Sequence, residues 1–126
     1  GGGFSAYMRD MAMFGEMVRK KGKFNKKQIL PAALIEDIMN GGDRDAFSQS
    51  VYGSLTGWSY RDMWWVTHNE HGALAARGVH GQTIYIDPVA EMVLVRFSSH
   101  PEAKNAKIDP TSLPAYHAVA KYLLSK

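Results

Sequence analysis

The chain has 126 residues, of which 45% are hydrophobic and 21% charged, and its formal net charge is +3. These values support one small folded domain and exclude intrinsic disorder. Cysteine is absent, which excludes disulfides and thiol catalysis. The basic excess is too mild for a nucleic-acid binder, and no apolar run approaches the roughly 20 residues that span a bilayer. Neither nucleic acid nor a membrane is therefore an expected partner.

The N-terminus carries no targeting information. It begins with Gly1, Gly2 and Gly3 and shows no signal-peptide pattern. The sequence therefore leaves the compartment undetermined, with the cytoplasm and the periplasm both open for a longer parent protein.

Two amphipathic helices are predicted near the start of the chain. An apolar stripe at helical spacing predicts the first over residues 6–20, with Ser5 as its N-cap and Gly22 as its stop. Pro31 suits the first position of the second, over residues 31–40. The stripe of the first helix consists of Tyr7, Met11, Phe14 and Val18.

From Trp58 onward the pattern is typical of β-structure. Apolar and β-branched runs predict strands at about residues 62–67, 73–79, 83–87 and 91–97. The polar segment 68–72 predicts a hairpin turn. After a polar loop over residues 98–112, Pro114 is expected to open a last helix over residues 114–125. Its predicted inner face consists of Tyr116, Val119, Ala120, Leu123 and Leu124.

The order of these elements predicts an α+β fold. Its antiparallel sheet has three to four strands joined as a meander and covered by helices. The sequence shows neither an internal repeat nor a second domain, so residues 1–126 are expected to form one segment.

A serine nucleophile with its base is not evident. In the S-x-x-K pattern the helical spacing puts the lysine amine beside the serine hydroxyl. No serine of this chain has a lysine three residues later, and no G-x-S-x-G turn occurs. A Ser/His/Asp triad can be assembled on paper, but no spacing favours a particular set.

Histidines are considered as metal ligands. His68, His71 and His80 with Glu70 offer nitrogen and oxygen ligands of the kind that zinc uses. His68 and His71 lie in a predicted turn, so polar turn residues are the simpler interpretation. No metal and no cofactor are expected.

A glycine-rich stretch follows the second predicted strand. Gly78 and Gly81 flank Val79 and His80 in the segment 77–82. Glycine at a strand end favours either a β-bulge or turn, or close approach of a ligand to a free backbone N–H. The first interpretation is the simpler one.

One cluster of basic residues could bind an anionic partner. A solvated helix end and loop is the simpler explanation of the cluster, because cations favour a helix C-terminus. The cluster consists of Arg19, Lys20, Lys21, Lys23, Lys26 and Lys27.

Four segments follow one another in an order that matches a known set of motifs. Residues 5–15 and 21–31 are similar to an R-D-x-A/M-R-x-G helix that runs into a G-x-x-N-G-x-Q-I-L-P link. Tyr52-Gly53 with Trp64-Trp65 is similar to a Y-G…W-W strand, and residues 78–88 to a G-x-x-G-Q-x-I-x-V-D-P hairpin. In this order the motifs resemble the β-lactamase-related serine hydrolases, the superfamily of class C β-lactamases and penicillin-binding proteins. The version of that hairpin found here is closest to the 6-aminohexanoate-dimer hydrolase and esterase-like branch.

The resemblance implies the C-terminal part of the α/β domain of the β-lactamase/transpeptidase-like fold. In that family the S-x-x-K nucleophile and the Y-x-N tyrosine come earlier in the chain, and neither motif occurs here. The segment alone is therefore expected to be inactive. The expected partners are the missing N-terminal part, a small amide or ester substrate for the parent, and a second copy through exposed apolar surface.

The resemblance also implies site residues. The family's K-[ST]-G strand aligns with Ala76, Arg77 and Gly78, so an alanine replaces the lysine that contributes to β-lactam carboxylate binding. Val79 N–H would be the oxyanion donor, and Trp65, Gly78 and His80 would line the substrate pocket. The alternative function is a non-catalytic interaction module that binds through an exposed apolar sheet face.

Overall fold

The structure, a computed structural model, describes residues 5–126. Its helices are α1 (Met8–Arg19), α2 (Ala32–Asn40), α3 (Arg44–Ser48) and α4 (Asp109–Leu124). A two-stranded hairpin after α1 consists of β1 (Lys23–Phe24) and β2 (Lys27–Gln28). The main sheet consists of β3 (Ser59–Arg61), β4 (Trp64–Val66), β5 (Leu74–Arg77), β6 (Thr83–Asp87) and β7 (Met92–Arg96). Among the helices of this described range, none is long and apolar enough to cross a bilayer.

The main sheet is an antiparallel meander in which each strand pairs with its sequence neighbour, in the order β3-β4-β5-β6-β7. In its register, Trp65 lies opposite Ala75, Ala75 opposite Tyr85, and Tyr85 opposite Leu94. These four residues share one face, because side chains alternate along each strand. The predicted α+β fold with a helix-covered antiparallel sheet is confirmed.

Helices cover both faces of the central strands. On one face α1 and α2 bury a core that consists of Val18, Ile35, Ile38, Trp64, Leu74, Ile84 and Ile86. On the other face α4 helps to bury Ala73, Ala75, Tyr85, Met92, Tyr116 and Ala120. Strand β6 is buried at all of its residues. No apolar face of β6 is therefore open for the interaction module considered from the sequence.

The sheet has one strand more than the three to four predicted. The additional strand, β3, is a three-residue edge strand that pairs Tyr60 with Trp65 and Arg61 with Trp64. Asp62 and Met63 form the tight turn to β4, with φ values of 44° and 72°. Such two-residue turns usually carry Asn-Gly or Asp-Gly, so this one gave no hairpin signal in the sequence. The prediction for residues 62–67 therefore ran through the turn.

The strand predicted over residues 73–79 is shorter in the structure. β5 ends at Arg77, and Val79–Gly81 forms a 3-10 turn in which His80 has a φ of 58°. Residues with positive φ interrupt the ladder, because extended strands require negative φ. The polar segment 68–72 does connect β4 to β5, with Gly72 at a φ of +63°.

The last helix begins at Asp109 rather than at the predicted residue 114, and ends at Leu124. Pro110 occupies its first turn, where a missing N–H costs little, and Pro114 lies inside the helix. Only Tyr116 and Ala120 of the predicted inner face are buried, whereas Val119 and Leu123 are 44% and 45% exposed. The helix contacts the sheet along a stripe narrower than its apolar composition suggested.

The first helix also begins later than predicted. Its N-cap is Tyr7, without a side-chain capping bond, so the predicted cap at Ser5 is wrong. The helix ends where Lys21 and Gly22 adopt φ values of 53° and 82°. The predicted stop at Gly22 fits this left-handed exit, because glycine adopts positive φ at no steric cost. Residues 1–3 lie outside the described residues.

Candidate functional site

A pocket of about 280 Å³ opens beyond the C-terminal end of β5. It lies between the chain segment before β3, strand β4, the 3-10 turn and the loop before α4. Its lining residues are Val51, Tyr52, Ser54, Leu55, Trp65, Arg77, Gly78, Val79, Ala103, Lys104, Asn105, Ala106 and Asp109. A concave pocket with a few polar groups is the usual form of a small-molecule site.

Asn105 holds the turn that forms one side of the pocket. Its Nδ2 donates to the carbonyl of Gly78 at 2.9 Å, and its Oδ1 accepts from the N–H of Gly81 at 2.9 Å. His80 N–H donates to the carbonyl of Ala103 at 3.1 Å. The backbone on both sides of Val79 is thereby fixed against the loop before α4.

Val79 contributes a polar group that the fold does not use. The N–H of Gly78 donates to Gln82 O at 2.8 Å, and that of His80 is bonded to Ala103. Within residues 5–126, the N–H of Val79 donates no hydrogen bond. Val79 also lines the pocket and is 62% exposed.

An aromatic wall closes one side of the pocket. The Trp65 ring contacts Tyr52 and Tyr60 edge to face, with centroid separations of 5.8 Å and 4.8 Å. Its Nε1 is the one buried side-chain polar atom of the described chain that lacks a hydrogen-bond partner. A buried N–H without an acceptor costs free energy. A ligand or a further protein segment that supplies a hydrogen-bond acceptor to Trp65 Nε1 would therefore bind more tightly.

A buried ion pair forms another side of the pocket. Arg77 Nη2 donates to Asp109 Oδ1 at 2.5 Å, and the two side chains are 7% and 16% exposed. The Arg77 guanidinium also lies over the ring of Trp58, 5.8 Å from its centroid. Pairing with Asp109 cancels most of the positive charge that Arg77 would bring to the pocket, which Lys104 also lines.

Three of the four predicted site residues, Trp65, Gly78 and Val79, line this one pocket. His80 lies outside it, and its Nδ1 contacts the carbonyl of His100 at 2.8 Å. The sequence interpretation missed Asn105 and Asp109. Both reach the pocket from the loop predicted over residues 98–112, and no local pattern indicated that contact.

No activated nucleophile lies in the described part of the pocket. Ser54 lines it, but among the hydrogen bonds of residues 5–126 none joins its hydroxyl to a base. A serine and a histidine do meet elsewhere: Ser59 Oγ lies 2.7 Å from His68 Nε2 and accepts from the N–H of Gly42 at 3.0 Å. Ser59 is fully buried, which prevents attack on a substrate. Burial also lowers the pKa of His68, which favours its neutral form. The Ser59–His68 hydrogen bond therefore has a structural role, linking β3 to the β4–β5 turn.

The four residues weighed as a metal set from the sequence do not form one. His68 is bonded to Ser59, and His80 is bonded to the loop before α4. His71 instead lies near Asp87 and His117, and Glu70 contacts His117. Neither Asp87 nor His117 belongs to the set considered from the sequence.

Half of the basic cluster is engaged in ion pairs. Arg19 and Lys20 contact Glu16 at 2.6 Å and 3.1 Å. Lys21 contacts Glu36 at 3.0 Å. The hydrogen bond from Arg19 lowers the pKa of Glu16 to about 2, so Glu16 is ionised at neutral pH and offsets part of the positive charge of Arg19 and Lys20. The cluster is a poorer anion site than its sequence suggested.

No protein-family model matches the sequence. Over 102 residues the chain is 33% identical to the 6-aminohexanoate-dimer hydrolase of Paenarthrobacter ureafaciens. The solved structure of a protein titled putative 6-aminohexanoate-dimer hydrolase, from Bacillus anthracis, superimposes with a TM-score of 0.80 at 39% identity. The chain is similar to 6-aminohexanoate-dimer hydrolases.

The similarity spans most of this chain but a minor part of its relatives. It covers 80% of the chain and 26% of the Paenarthrobacter enzyme. For the Bacillus protein the shares are 95% and 30%. The chain thus spans about a quarter of the length of the curated relative, and its fold is the α+β arrangement found in part of such a hydrolase.

Proposed function

We propose that this chain is the C-terminal part of a serine hydrolase that cleaves an amide or ester through an acyl-enzyme. In this proposal Val79 N–H donates to the oxyanion, and Trp65 and Gly78 form part of the pocket wall. The nucleophile and its base come from S-x-x-K and Y-x-N motifs outside the 126 residues. The observation that carries the proposal is the unbonded Val79 N–H at a pocket, and the similarity to amide hydrolases supports it.

The proposed role of Val79 follows from the charge that develops in acyl transfer. Attack on a carbonyl places a negative charge on its oxygen, and a donor that is already oriented stabilises this charge without reorganising. The Asn105 bonds to Gly78 and Gly81 fix the backbone on both sides of that donor. The second donor of the oxyanion hole would be the N–H of the absent nucleophile.

The pocket favours a short, mostly apolar acyl group. Trp65, Tyr52 and Leu55 supply apolar surface, and the Arg77–Asp109 pair is internally neutralised. The pocket volume of about 280 Å³ matches a small ligand. The relatives are named for the hydrolysis of a 6-aminohexanoate dimer. We therefore propose linear amides as a substrate class for the protein that carries this chain.

The proposal is tested by removing the Val79 N–H in the complete protein that carries this segment. In Val79→Pro the N–H is lost, while Gly78, at φ −112° and ψ 171°, already has the extended conformation that precedes proline. Val79 is the first residue of its 3-10 turn, where proline is tolerated. We expect kcat for p-nitrophenyl ester hydrolysis to fall by about 100- to 1,000-fold, with little change in KM.

Val79→Ala is the matched control, because it shortens an exposed side chain but keeps the N–H. Its kcat should stay within a few-fold of wild type. If both variants retain wild-type kcat while circular dichroism shows them folded, Val79 is not the oxyanion donor.

A further inference from the structure

A cluster of histidine and carboxylate side chains lies away from the pocket. His71 comes from the β4–β5 turn, Asp87 ends β6, and His117 lies on α4. One ligand atom from each of the three lies within 4.8 Å of the others. The pocket lies beyond the opposite end of β5, at Gly78 and Val79, so the cluster belongs to a separate site.

Asp87 is a buried carboxylate with little positive charge around it. It is 0% exposed, and its Oδ1 accepts from the N–H of Ala90 at 2.8 Å. Its Oδ2 lies 2.7 Å from His71 Nδ1. Within residues 5–126, His71 is its one ion-pair partner. A buried carboxylate requires a compensating charge, which a cation or a protonated His71 can supply.

A second carboxylate adds to the negative charge. Glu70 Oε1 lies 3.0 Å from His117 Nε2 and 3.5 Å from Lys121 Nζ. Apart from the histidines, the carboxylates of Asp87 and Glu70 face the single ammonium group of Lys121, so these three charges sum to −1. Such a site attracts a divalent cation.

The hydrogen bonds of the histidines suit metal ligation. Histidine ligands commonly donate one ring N–H to a carboxylate, which fixes the tautomer and leaves the other nitrogen free for the metal. His117 Nε2 faces Glu70 in this way, which leaves His117 Nδ1 free for the metal. His71 Nδ1 and Asp87 Oδ2 lie 2.7 Å apart, so both atoms can turn to the same ion. Two imidazoles with carboxylate oxygens are a set that zinc binds in tetrahedral geometry.

We propose that His71, His117 and Asp87 form a zinc site, with water in the fourth position, that joins α4 to the β4–β5 turn. Tetrahedral bonds of about 2.1 Å place ligand atoms about 3.4 Å apart. When zinc binds, His117 must therefore approach the other two ligands, and the 2.7 Å contact between His71 and Asp87 must lengthen. His117, whose side chain is 22% exposed, can move inward from the helix surface. The proposed role of the site is structural, because the zinc would link α4, the end of β6 and the β4–β5 turn at a distance from the pocket.

The experiment is calorimetric titration of chelator-treated, purified protein with ZnCl2 at neutral pH. We expect one zinc per chain and a rise in Tm on saturation, because zinc binds the folded state. His117→Gln should weaken binding by at least about tenfold. The matched control His100→Gln should bind as wild type, since His100 contacts Glu102 outside the cluster. MgCl2, a cation that prefers oxygen ligands, should not bind measurably.

Two spectroscopic readouts keep the test decisive if a variant fails to fold. Cobalt(II) bound to the wild-type protein should give the intense visible absorption of a tetrahedral site. Nuclear magnetic resonance should show zinc-dependent shifts of the ring signals of His71 and His117 but not of His100. No stoichiometric zinc binding, equal binding by His117→Gln, or shifts confined to other histidines would each overturn the proposal.

Discussion

Gly15 sets the distance between α1 and the sheet. It is buried on the inner face of the helix. A Cβ added there would lie 2.6 Å from Val93 Cγ1 and 3.1 Å from Ile84 Cγ2. Both neighbours are β-branched and stiff, so they cannot turn aside at low cost. Glycine is required here for close approach and not for its backbone freedom.

Gly15→Ala should therefore destabilise the fold although alanine is the better helix former. Alanine gains roughly 0.5–1 kcal/mol in a helix interior, whereas overpacking costs about 1–3 kcal/mol. We expect a net loss of about 1 kcal/mol in the free energy of unfolding, measured by urea titration.

The same substitution on a Val93→Ala background serves as the control. With the Val93 methyl groups removed, the added Cβ has room, and Gly15→Ala should be neutral or stabilising. Equal destabilisation on both backgrounds would contradict the steric explanation.

The sequence predicted the position of some site residues correctly and of others not. The glycine pattern and the family resemblance led to Gly78 and Val79, and both line the pocket. His80 belongs to the same motif, but its left-handed φ of 58° accompanies a side chain bonded to His100 rather than in the pocket. The direction of a side chain depends on the backbone dihedral angles, which a sequence motif does not specify.

At the scale of elements, one ion pair joins the end of β5 to the start of α4. Arg77 and Asp109 are 7% and 16% exposed, so solvent screens their interaction little. Breaking such a pair leaves a charge without its partner in a poorly hydrated place. The pair also positions the loop before α4, which carries Asn105 to the pocket.

Arg77→Met should destabilise the protein by about 3 kcal/mol, because Asp109 then loses its partner. The matched control is Arg61→Met. The Arg61–Asp37 pair has a comparable distance of 2.7 Å but side chains that are each 46% exposed. Solvent screens such an exposed pair, so this variant should lose little stability.

Thermal and urea unfolding of both variants measure the difference. Equal losses would mean that burial of the Arg77–Asp109 pair does not determine its contribution. A larger loss for Arg61→Met would reverse the expected order.

At the scale of the whole molecule, the chain holds a pocket without a nucleophile in its described residues. The oxyanion donor proposed for Val79 cannot break a bond alone. In acyl transfer the donor stabilises charge, whereas a separate serine must attack and a separate base must move the proton.

We expect the isolated 126-residue chain to hydrolyse p-nitrophenyl acetate no faster than its Val79→Pro variant, because histidine-dependent background is common to both. Adding a preceding segment that contains S-x-x-K should restore hydrolysis, and this gain should be lost with Val79→Pro. The measurement is release of p-nitrophenol under matched protein concentrations. Turnover by the isolated wild-type chain well above that background would contradict the proposal.

The sequence alone determined the fold class and most of the elements. Apolar periodicity is local information, and it was sufficient to place α1, α2 and strands β4 to β7 near their observed positions. It could not place β3, because the Asp62–Met63 turn lacks the usual glycine. It also could not start α4 at Asp109, because Pro114 is normally a helix boundary rather than an interior residue.

Only the tertiary structure decided which distant residues meet. Asn105 reaches the turn around Val79 across 27 residues of sequence from Gly78. His117 joins Glu70 across 47 residues, and Arg77 joins Asp109 across 32. Such contacts depend on the meander register and on the path of the loop before α4. Since neither leaves a periodic trace in the sequence, the contribution of Asn105 and Asp109 to the pocket and the histidine cluster became visible only once the chain was folded.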